Sequence, residues 1–399
     1  MSNISNIRDC FGCGVCAAAC GNKIIDIIQN DKGFYEPFIK EPEKCTNCGL
    51  CVEVCSYYHD DLSVKNPPLY SYAAWSNDDN VRRKCSSGGA GFEVGRYLLS
   101  QGYKVCGVRY NTDRNQAEHY IATTVEELIP SIGSKYIQSY TVDAFKSINR
   151  REKYLVVGTP CQIDSFRRYI QKFRCEENFV LMDFFCHGVP SKLMWDKYVK
   201  WAEKRVGKLT YVSWRNKQTG WHDSWAMAID GERYGERVNW QAPYDLSIKE
   251  KKCFLNSRLS QGDLFYKLYL GSYCTNPSCI KDCRYKFDKS SADIRIGDAW
   301  GKTYCENEDG VSAAIAFTEK GLDILKCCNT ELVEHCFNQV AEGQMKENAK
   351  RAVLASIVMR MLKSERLYSE KVWKSIFFIE GLFHIPYRIK CKIQKSIRS

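Results

Sequence analysis

Two runs of cysteine constrain this chain more than any other feature. "CFGCGVCAAAC" sets Cys10, Cys13, Cys16 and Cys20 in the spacing C-x2-C-x2-C-x3-C, and "CTNCGLCVEVC" repeats it at Cys45, Cys48, Cys51 and Cys55. Three thiolates on one tight loop wrap a cubane but do not also reach its fourth iron, so in this spacing the fourth cysteine of each run serves the other cluster. The expected ligand sets are Cys10, Cys13, Cys16 and Cys55 for one [4Fe–4S] cluster, and Cys45, Cys48, Cys51 and Cys20 for a second. Structural zinc is the competing use of such thiols, but zinc sites pair cysteines as C-x2-C from separate loops and do not crowd four into eleven residues. Gly12, Gly14, Ala17, Ala18 and Ala19 suit the cluster, because backbone amides must approach inorganic sulfur closely.

Whether the thiols stay reduced depends on the compartment. No charged segment followed by an apolar stretch opens the chain, and no run of about 18 uncharged apolar residues occurs in it. The expectation is a cytoplasmic protein, in which 22 cysteines among 399 residues serve metal or redox chemistry before disulfides. That length, with 44% hydrophobic residues, supports two or more packed domains. The formal net charge of +11 is uneven: residues 1–66 carry six Lys and Arg against nine Asp and Glu, a net −3, which leaves +14 on the rest. A basic body suits an anionic cofactor, acidic lipid or nucleic acid. With no basic stripe and no recognised nucleic-acid motif, a solvated surface is the plainer reading and no nucleic-acid partner is expected.

Over residues 3–60 the sequence resembles a bacterial-type two-cluster ferredoxin domain, and "KGFYEPFI" between the runs alternates as a short hairpin does. The proline that usually follows the fourth cysteine is replaced by Gly21 in the first run and Ser56 in the second. "HDDLSVKNPPLYSY" reads as a linker, since Pro67-Pro68 stops regular structure. Beyond it, "KVCGVRY", "YLVVGTP", "FVLMDFFC", "TYVSWR", "SWAMAI", "DIRIGD" and "AAIAFT" predict buried strands, with helices over "GFEVGRYLLSQG" and "CQIDSFRRYIQKF".

Three stretches carry further chemistry. "CSSGGAGFEVGRYL" puts Ser86, Ser87, Gly88 and Gly89 just before a helix, where free amide N–H groups hold phosphate, although a plain N-capped helix reads the same way. "VVGTPCQIDSF" runs from strand to helix through Gly158, Thr159 and Pro160, which puts Cys161 at a strand's carboxyl end, where α/β sheets bind ligands. "LMDFFCHGVPS" repeats that placement for Cys186 and His187; each alone would be an ordinary core residue. "CTNPSCIKDCRYKFDKSSADIRIGDAWG" adds Cys274, Cys279 and Cys283 in C-x4-C-x3-C. This is not the C-x3-C-x2-C loop of radical enzymes that use S-adenosylmethionine, and a zinc site built from these three and one more thiol is the alternative.

"SSGGAGF", "GSKYIQS", "VGTPCQI", "DFFCHGVPS" and "ADIRIGDAWG", in this order behind the cysteine runs, resemble the coenzyme F420 hydrogenase/dehydrogenase beta-subunit family up to about residue 345. The resemblance implies FAD, an iron–sulfur cluster beside it, and, in methanogen members, electron exchange with coenzyme F420. Carried residue by residue, it implies flavin contacts from Ser86, Ser87, Gly88, Gly89, Lys135, Tyr136, Thr159, Pro160, Gln162, Gly297 and Asp298. It also implies a third [4Fe–4S] cluster on Cys161 and Cys186 with two of Cys274, Cys279 and Cys283, which depart from the family's C-x2-C pair. The expected partners are a redox protein donor or acceptor and a small organic hydride partner: coenzyme F420, or another substrate in bacterial members linked to surface-polysaccharide synthesis. An iron–sulfur scaffold without flavin, or a nucleic-acid enzyme with a structural cluster, are readings from other classes. No side chain is expected to act as a nucleophile.

The expected fold is α+β or α/β: a small ferredoxin-like domain (1–66), a mixed α/β flavin-binding body in two parts (67–150 and 151–345), and a basic helical tail (346–399). In that tail Lys371, Lys374, Arg388, Lys390, Lys392, Lys395 and Arg398 alternate with apolar residues, as in a helix that docks on its own body, a partner subunit or an acidic membrane surface.

Overall fold

The computed structural model describes residues 3–233 and 255–383. Its first unit is built around the two cysteine loops. Strands β1 (Ile25–Gln29) and β2 (Tyr35–Ile39) pair antiparallel, Ile25 opposite Ile39, as the alternation predicts. Their turn closes through Asn30, whose side-chain oxygen accepts from Lys32 N and Phe34 N, and Gly33 supplies the left-handed backbone at φ +76°. Short helices Val15–Ala19 and Leu50–Glu53 each follow a left-handed glycine, Gly14 and Gly49, so both cysteine loops enter their helices with the same bend.

The body is dominated by a nine-stranded mixed sheet. In chain order its strands are β3 (Tyr70–Ser76), β4 (Lys104–Asn111), β5 (Gln116–Ala122), β6 (Ser139–Tyr140), β7 (Tyr154–Val157) and β8 (Phe179–Phe184). After a separate three-stranded sheet of β9 (Leu209–Ser213), β10 (Ala226–Gly231) and β11 (Leu255–Arg258), it is completed by β12 (Ile294–Asp298), β13 (Ser312–Ala316) and β14 (Thr330–Glu334). The spatial order is β14-β3-β13-β12-β8-β7-β4-β5-β6. β12, β8, β7 and β4 run parallel at the centre, so their carboxyl ends open on the same side. Parallel strands are covered on both faces, and "YLVV" and "FVLMDF" accordingly bury nearly every residue.

One charge pair lies inside this sheet. Arg295 on β12 stands in register with Asp183 on β8; its Nε and Nη2 donate to the two carboxylate oxygens at 2.7 Å each, and neither side chain is exposed. The expected linker ends earlier than its composition suggests, because "YSYAAWS" pairs with β13 on one side and β14 on the other and is buried as β3. Besides β3, the strands β5, β6, β11 and β14 were absent from the sequence expectation; β14 is a partly exposed edge with a weak apolar pattern.

After residue 344 the chain forms helices Ala355–Lys363 and Glu370–Phe383. Trp373 and Ile376 of the second enter the core that joins the small sheet to helix Lys192–Val206. The buried Glu380 carboxylate accepts from Val353 N and Leu354 N at 2.9 Å each, tying the second helix to the residues that lead into the first. Arg388, Lys390, Lys392, Lys395 and Arg398 lie outside the described residues. Among the described residues, no helix is long and apolar enough to cross a membrane.

Candidate functional site

Cys10, Cys13, Cys16 and Cys55 ring a small void with Phe11 and Gly12. Burial pushes the Cys16 thiol well above its ordinary value, and Cys13, Cys55 and Cys10 add to the effect, so four sulfurs share one poorly solvated space. Such a donor set fits a cation that holds the thiols deprotonated. Gly12 N–H already points at Cys10 Sγ, 3.3 Å away. Gly12 is left-handed at φ +64°, and a Cβ there would collide with Tyr35 O and Gln138 Nε2. The second group stands nearer the surface: Cys51 feels Cys48 and Cys20, Cys48 is exposed, and Asn3 Nδ2 approaches Cys45 Sγ at 3.6 Å. Cys55 thus sits with the first run and Cys20 with the second. Two loops thus supply the thiolate donor set that a cubane cluster takes.

This unit is bonded to the body along the first loop. Gln138 accepts from Tyr35 N at 2.9 Å and donates to Phe11 O at 3.1 Å, while Thr141 Oγ1 donates to Cys13 O at 3.0 Å. Asn276 Nδ2 donates to Cys10 O at 3.2 Å. Phe11, held edge-on by Tyr57 at 5.3 Å, lines both the void of the first run and a much larger cavity on its other side.

That cavity, of about 820 Å³, lies beside Val105, Gly107 and Val108 of β4 and at the carboxyl ends of β7, β8 and β12. Its size falls within the usual range of ligand sites, and its position is the crevice where α/β sheets bind cofactors. Of the residues named for a flavin, Ser86, Ser87, Gly89, Lys135, Tyr136, Thr159, Pro160, Gln162, Gly297 and Asp298 all line it. Helix Ala90–Ser100 points its amino end here from the left-handed Gly89, with no side chain capping it, so its first amides suit an anionic group. His187 adds a buried Nε2 without a hydrogen-bond partner and packs on the Tyr269 ring at 5.0 Å. Open volume, uncapped amides and an orphaned imidazole nitrogen together fit a dinucleotide-sized cofactor.

Cys161, Cys186, Cys279 and Cys283 gather at one end of the same cavity. Cys161 senses Cys279 and Cys186, and Cys186 senses Cys283, each beneath a larger upward shift from burial. Four thiols, two from the segments that follow β7 and β8 and two from the short helix Pro277–Lys281 and the residues after it, again suit a cluster. Cys274 does not join them: it is buried in the apolar core with its sulfur 3.3 Å from Met194 Sδ. Cys274 lies before the short helix Pro277–Lys281, whereas Cys279 lies on it.

Two other residues take roles different from those expected. Gly88 is a packing residue outside the cavity, because a Cβ there would strike Ala74 O and Ser312 N. Lys135 spends its ammonium on the carbonyls of Pro130, Ser131 and Ile132 at 2.8–3.1 Å, and burial brings its pKa down to about 7. It shapes the loop against the cavity and has no donor left for a phosphate.

The small sheet contributes what the sequence did not announce. Arg215, fully buried after β9, lies between the Trp225 and Trp300 rings at 4.9 and 5.2 Å, and the Tyr136 hydroxyl is 3.3 Å from its Nη1. Tyr136 stacks on Trp225 at 5.3 Å, making an aromatic wall for the cavity. The signal available was "SWRN" and "WHDSWAM", arginine and tryptophans in a short strand pair, which alone reads as core.

Comparison with known proteins gives three family matches. Residues 9–58 match a 4Fe-4S dicluster domain. Residues 71–146 match the amino-terminal part, and residues 151–336 the carboxyl-terminal part, of the family described as "Coenzyme F420 hydrogenase/dehydrogenase, beta subunit". A coenzyme F420-dependent sulfite reductase of Methanocaldococcus jannaschii is 25% identical over 331 residues, which is 81% of this chain and 46% of that protein. The beta subunit of the coenzyme F420 hydrogenase of Methanococcus voltae is 38% identical over 72 residues, 16% of this chain and 26% of that protein. The chain therefore spans less than half the length of these relatives in the aligned parts. A chain of the F420-reducing [NiFe] hydrogenase complex from Methanosarcina barkeri superposes with a TM-score of 0.44 at 17% identity, covering 76% of this chain and 89% of that one. With both parts of the beta subunit matched in order behind a 4Fe-4S dicluster domain, this chain belongs to the coenzyme F420 hydrogenase/dehydrogenase beta-subunit family.

Proposed function

We propose that this protein is an iron–sulfur flavoprotein oxidoreductase, with FAD in the 820 Å³ cavity and a third [4Fe–4S] cluster on Cys161, Cys186, Cys279 and Cys283. A flavin takes or gives two electrons as hydride with an organic molecule and single electrons with metal clusters. The observation that carries the reading is one cavity lined both by four convergent cysteines and by the turns at Ser86 and Thr159 and the end of β12 at Gly297. Gly89 and the uncapped helix behind it hold the anionic part; Tyr136, Trp225 and Trp300 wall the planar part and exclude water; His187 offers a hydrogen bond from its free Nε2. The dicluster unit is the port for a redox protein, with the group near Cys48 exposed and the group near Cys10 behind it against Phe11. The hydride partner is coenzyme F420 or another small organic substrate, in line with the names of the relatives. Iron, acid-labile sulfide and released flavin on anaerobically purified protein test this: about twelve irons and one FAD support it. About eight irons and no flavin, even after reconstitution with FAD, overturn it.

A second reading concerns location. Helix Glu370–Phe383 docks through Trp373 and Ile376 yet exposes Phe378 at 69%, with Ile379, Leu382 and Phe383 beside it, directly before the basic segment 384–399. An acidic membrane surface suits that combination. Flotation of the full chain with phosphatidylserine vesicles, lost on deletion of residues 384–399, supports it; equal recovery with neutral vesicles overturns it.

A further inference from the structure

Ser56 and Ser165 form a buried hydrogen-bonded pair between two groups of cysteines. Neither residue has any exposure. Ser56 N–H donates to Ser165 Oγ at 3.0 Å, the Ser165 hydroxyl donates to Ser56 Oγ at 2.8 Å, and Ser56 Oγ donates to Cys161 O at 3.0 Å. On the other side, Ser165 Oγ lies 3.4 Å from Cys13 Sγ. The chain of contacts therefore runs from a cysteine of the first run, through two hydroxyls, to the backbone of a cysteine at the cavity. It depends on the replacement of proline after the fourth cysteine. Proline has no N–H to give, and Ser56 uses both its N–H and its hydroxyl here.

The proton count gives this bridge a direction. As a metal ligand Cys13 is a thiolate and only accepts. Ser165 has one hydroxyl proton and two acceptors for it, Ser56 Oγ and Cys13 Sγ. The Ser56 hydroxyl proton is committed to Cys161 O, so it is not a competitor for the sulfur. When the cluster gains one electron from a low-potential protein donor, negative charge rises on its sulfurs and a charge-assisted bond from Ser165 strengthens. Hydrogen bonds to cluster sulfur are among the determinants of reduction potential.

We propose that Ser165, oriented by Ser56, is a positioning residue that sets the reduction potential of the cluster held by Cys13 and shares one proton between that cluster and the link to Cys161. The first half rests on the dicluster domain, and only the link to Cys161 rests on the proposed third cluster. Ser165→Ala removes the donor and lowers the potential. Ser56→Ala removes the acceptor that competes for the Ser165 proton while keeping the N–H that orients Ser165, and raises it. Opposite signs are the mark of a shared proton, which a packing role would not produce.

The experiment is a dithionite redox titration followed by electron paramagnetic resonance on the anaerobically purified full chain, with iron and flavin measured on each sample. In Ser165→Ala one of the two dicluster signals shifts to lower potential and the other stays. In Ser56→Ala the same signal shifts upward, and Ser165→Thr, which keeps the hydroxyl, restores the wild-type value. Unchanged potentials at wild-type iron content, or shifts of the same sign in both alanine variants, overturn the proposal. If Ser165→Ala loses iron, Ser56→Ala and Ser165→Thr decide it: an unchanged or lowered potential in the first overturns it. A wild-type sample with about eight irons and no flavin would overturn the flavoprotein reading while leaving the two signals on which this test is read.

Discussion

Arg215 and Asp298 form a forked ion pair, Nη1 to Oδ2 at 2.9 Å and Nη2 to Oδ1 at 3.0 Å, which ties the end of β9 to the end of β12. Trp221 Nε1 donates to the same carboxylate at 2.9 Å, so one side chain at the mouth of the cavity fastens the small sheet to the large one. Asp298→Ala leaves a buried guanidinium without its counter-charge and is expected to destabilise the protein by about 3–5 kcal/mol. Asp298→Asn, which keeps an acceptor for Trp221, should cost less. Thermal unfolding of the three proteins under argon reads the order, with the alanine variant several degrees lowest.

The cysteines at the cavity separate cleanly by position. Cys161→Ala should reduce iron by about four atoms per chain. Cys274→Ala, which removes only an apolar contact with Met194, should leave iron at the wild-type level. Iron loss in the second variant but not the first would reverse the assignment.

Gly12→Ala forces a Cβ into Tyr35 O and the Gln138 side chain at a left-handed backbone. The conformation alone costs about 1–2 kcal/mol, and the collision breaks the bonds that dock the first loop. The variant should lose iron from the first group and unfold at lower temperature, whereas Gly49→Ala, which meets no atom within 4 Å, should show only the conformational cost.

His119 sits on β5 with its ring against Phe145 at 5.1 Å and Nε2 donating to Val157 O at 3.0 Å. Burial lowers its pKa from 6.5 to about 4. In the unfolded chain it takes up a proton near pH 6.5, and the folded chain refuses that proton until about 4, so the stabilisation present above pH 6.5 is lost as the pH falls across that window. The full loss is about 3 kcal/mol. The stability of His119→Gln should fall less between pH 7.5 and pH 5 than that of wild type, compared by the midpoints of urea unfolding.

The cysteine runs were legible because metal ligation by a tight loop is a local property: spacing and small residues decide it, and both are written in eleven consecutive positions. The central strands were legible for a similar reason, since a strand covered on both faces leaves a continuous apolar run such as "FVLMDF". The edge strand β14 and the strand β3 were not, because partial exposure and a preceding Pro-Pro pair hide their patterns until their partners are known.

The sequence by itself determined that the chain carries paired cysteine loops, a mixed α/β body and five ordered motifs of one family. Only the tertiary structure decided which distant thiols stand together: it gathers Cys161, Cys186, Cys279 and Cys283 and sends Cys274 into the core, although the last three of the five in the chain, Cys274, Cys279 and Cys283, were equal candidates in sequence. It likewise brought Arg215 from a separate sheet to Asp298, and Ser56 to Ser165 across 109 positions. Spacing fixes geometry within a loop, where the backbone is the ruler. Between loops the ruler is the register of the sheet, and parallel pairing of β12, β8, β7 and β4 is what turns separate strand ends into one cavity.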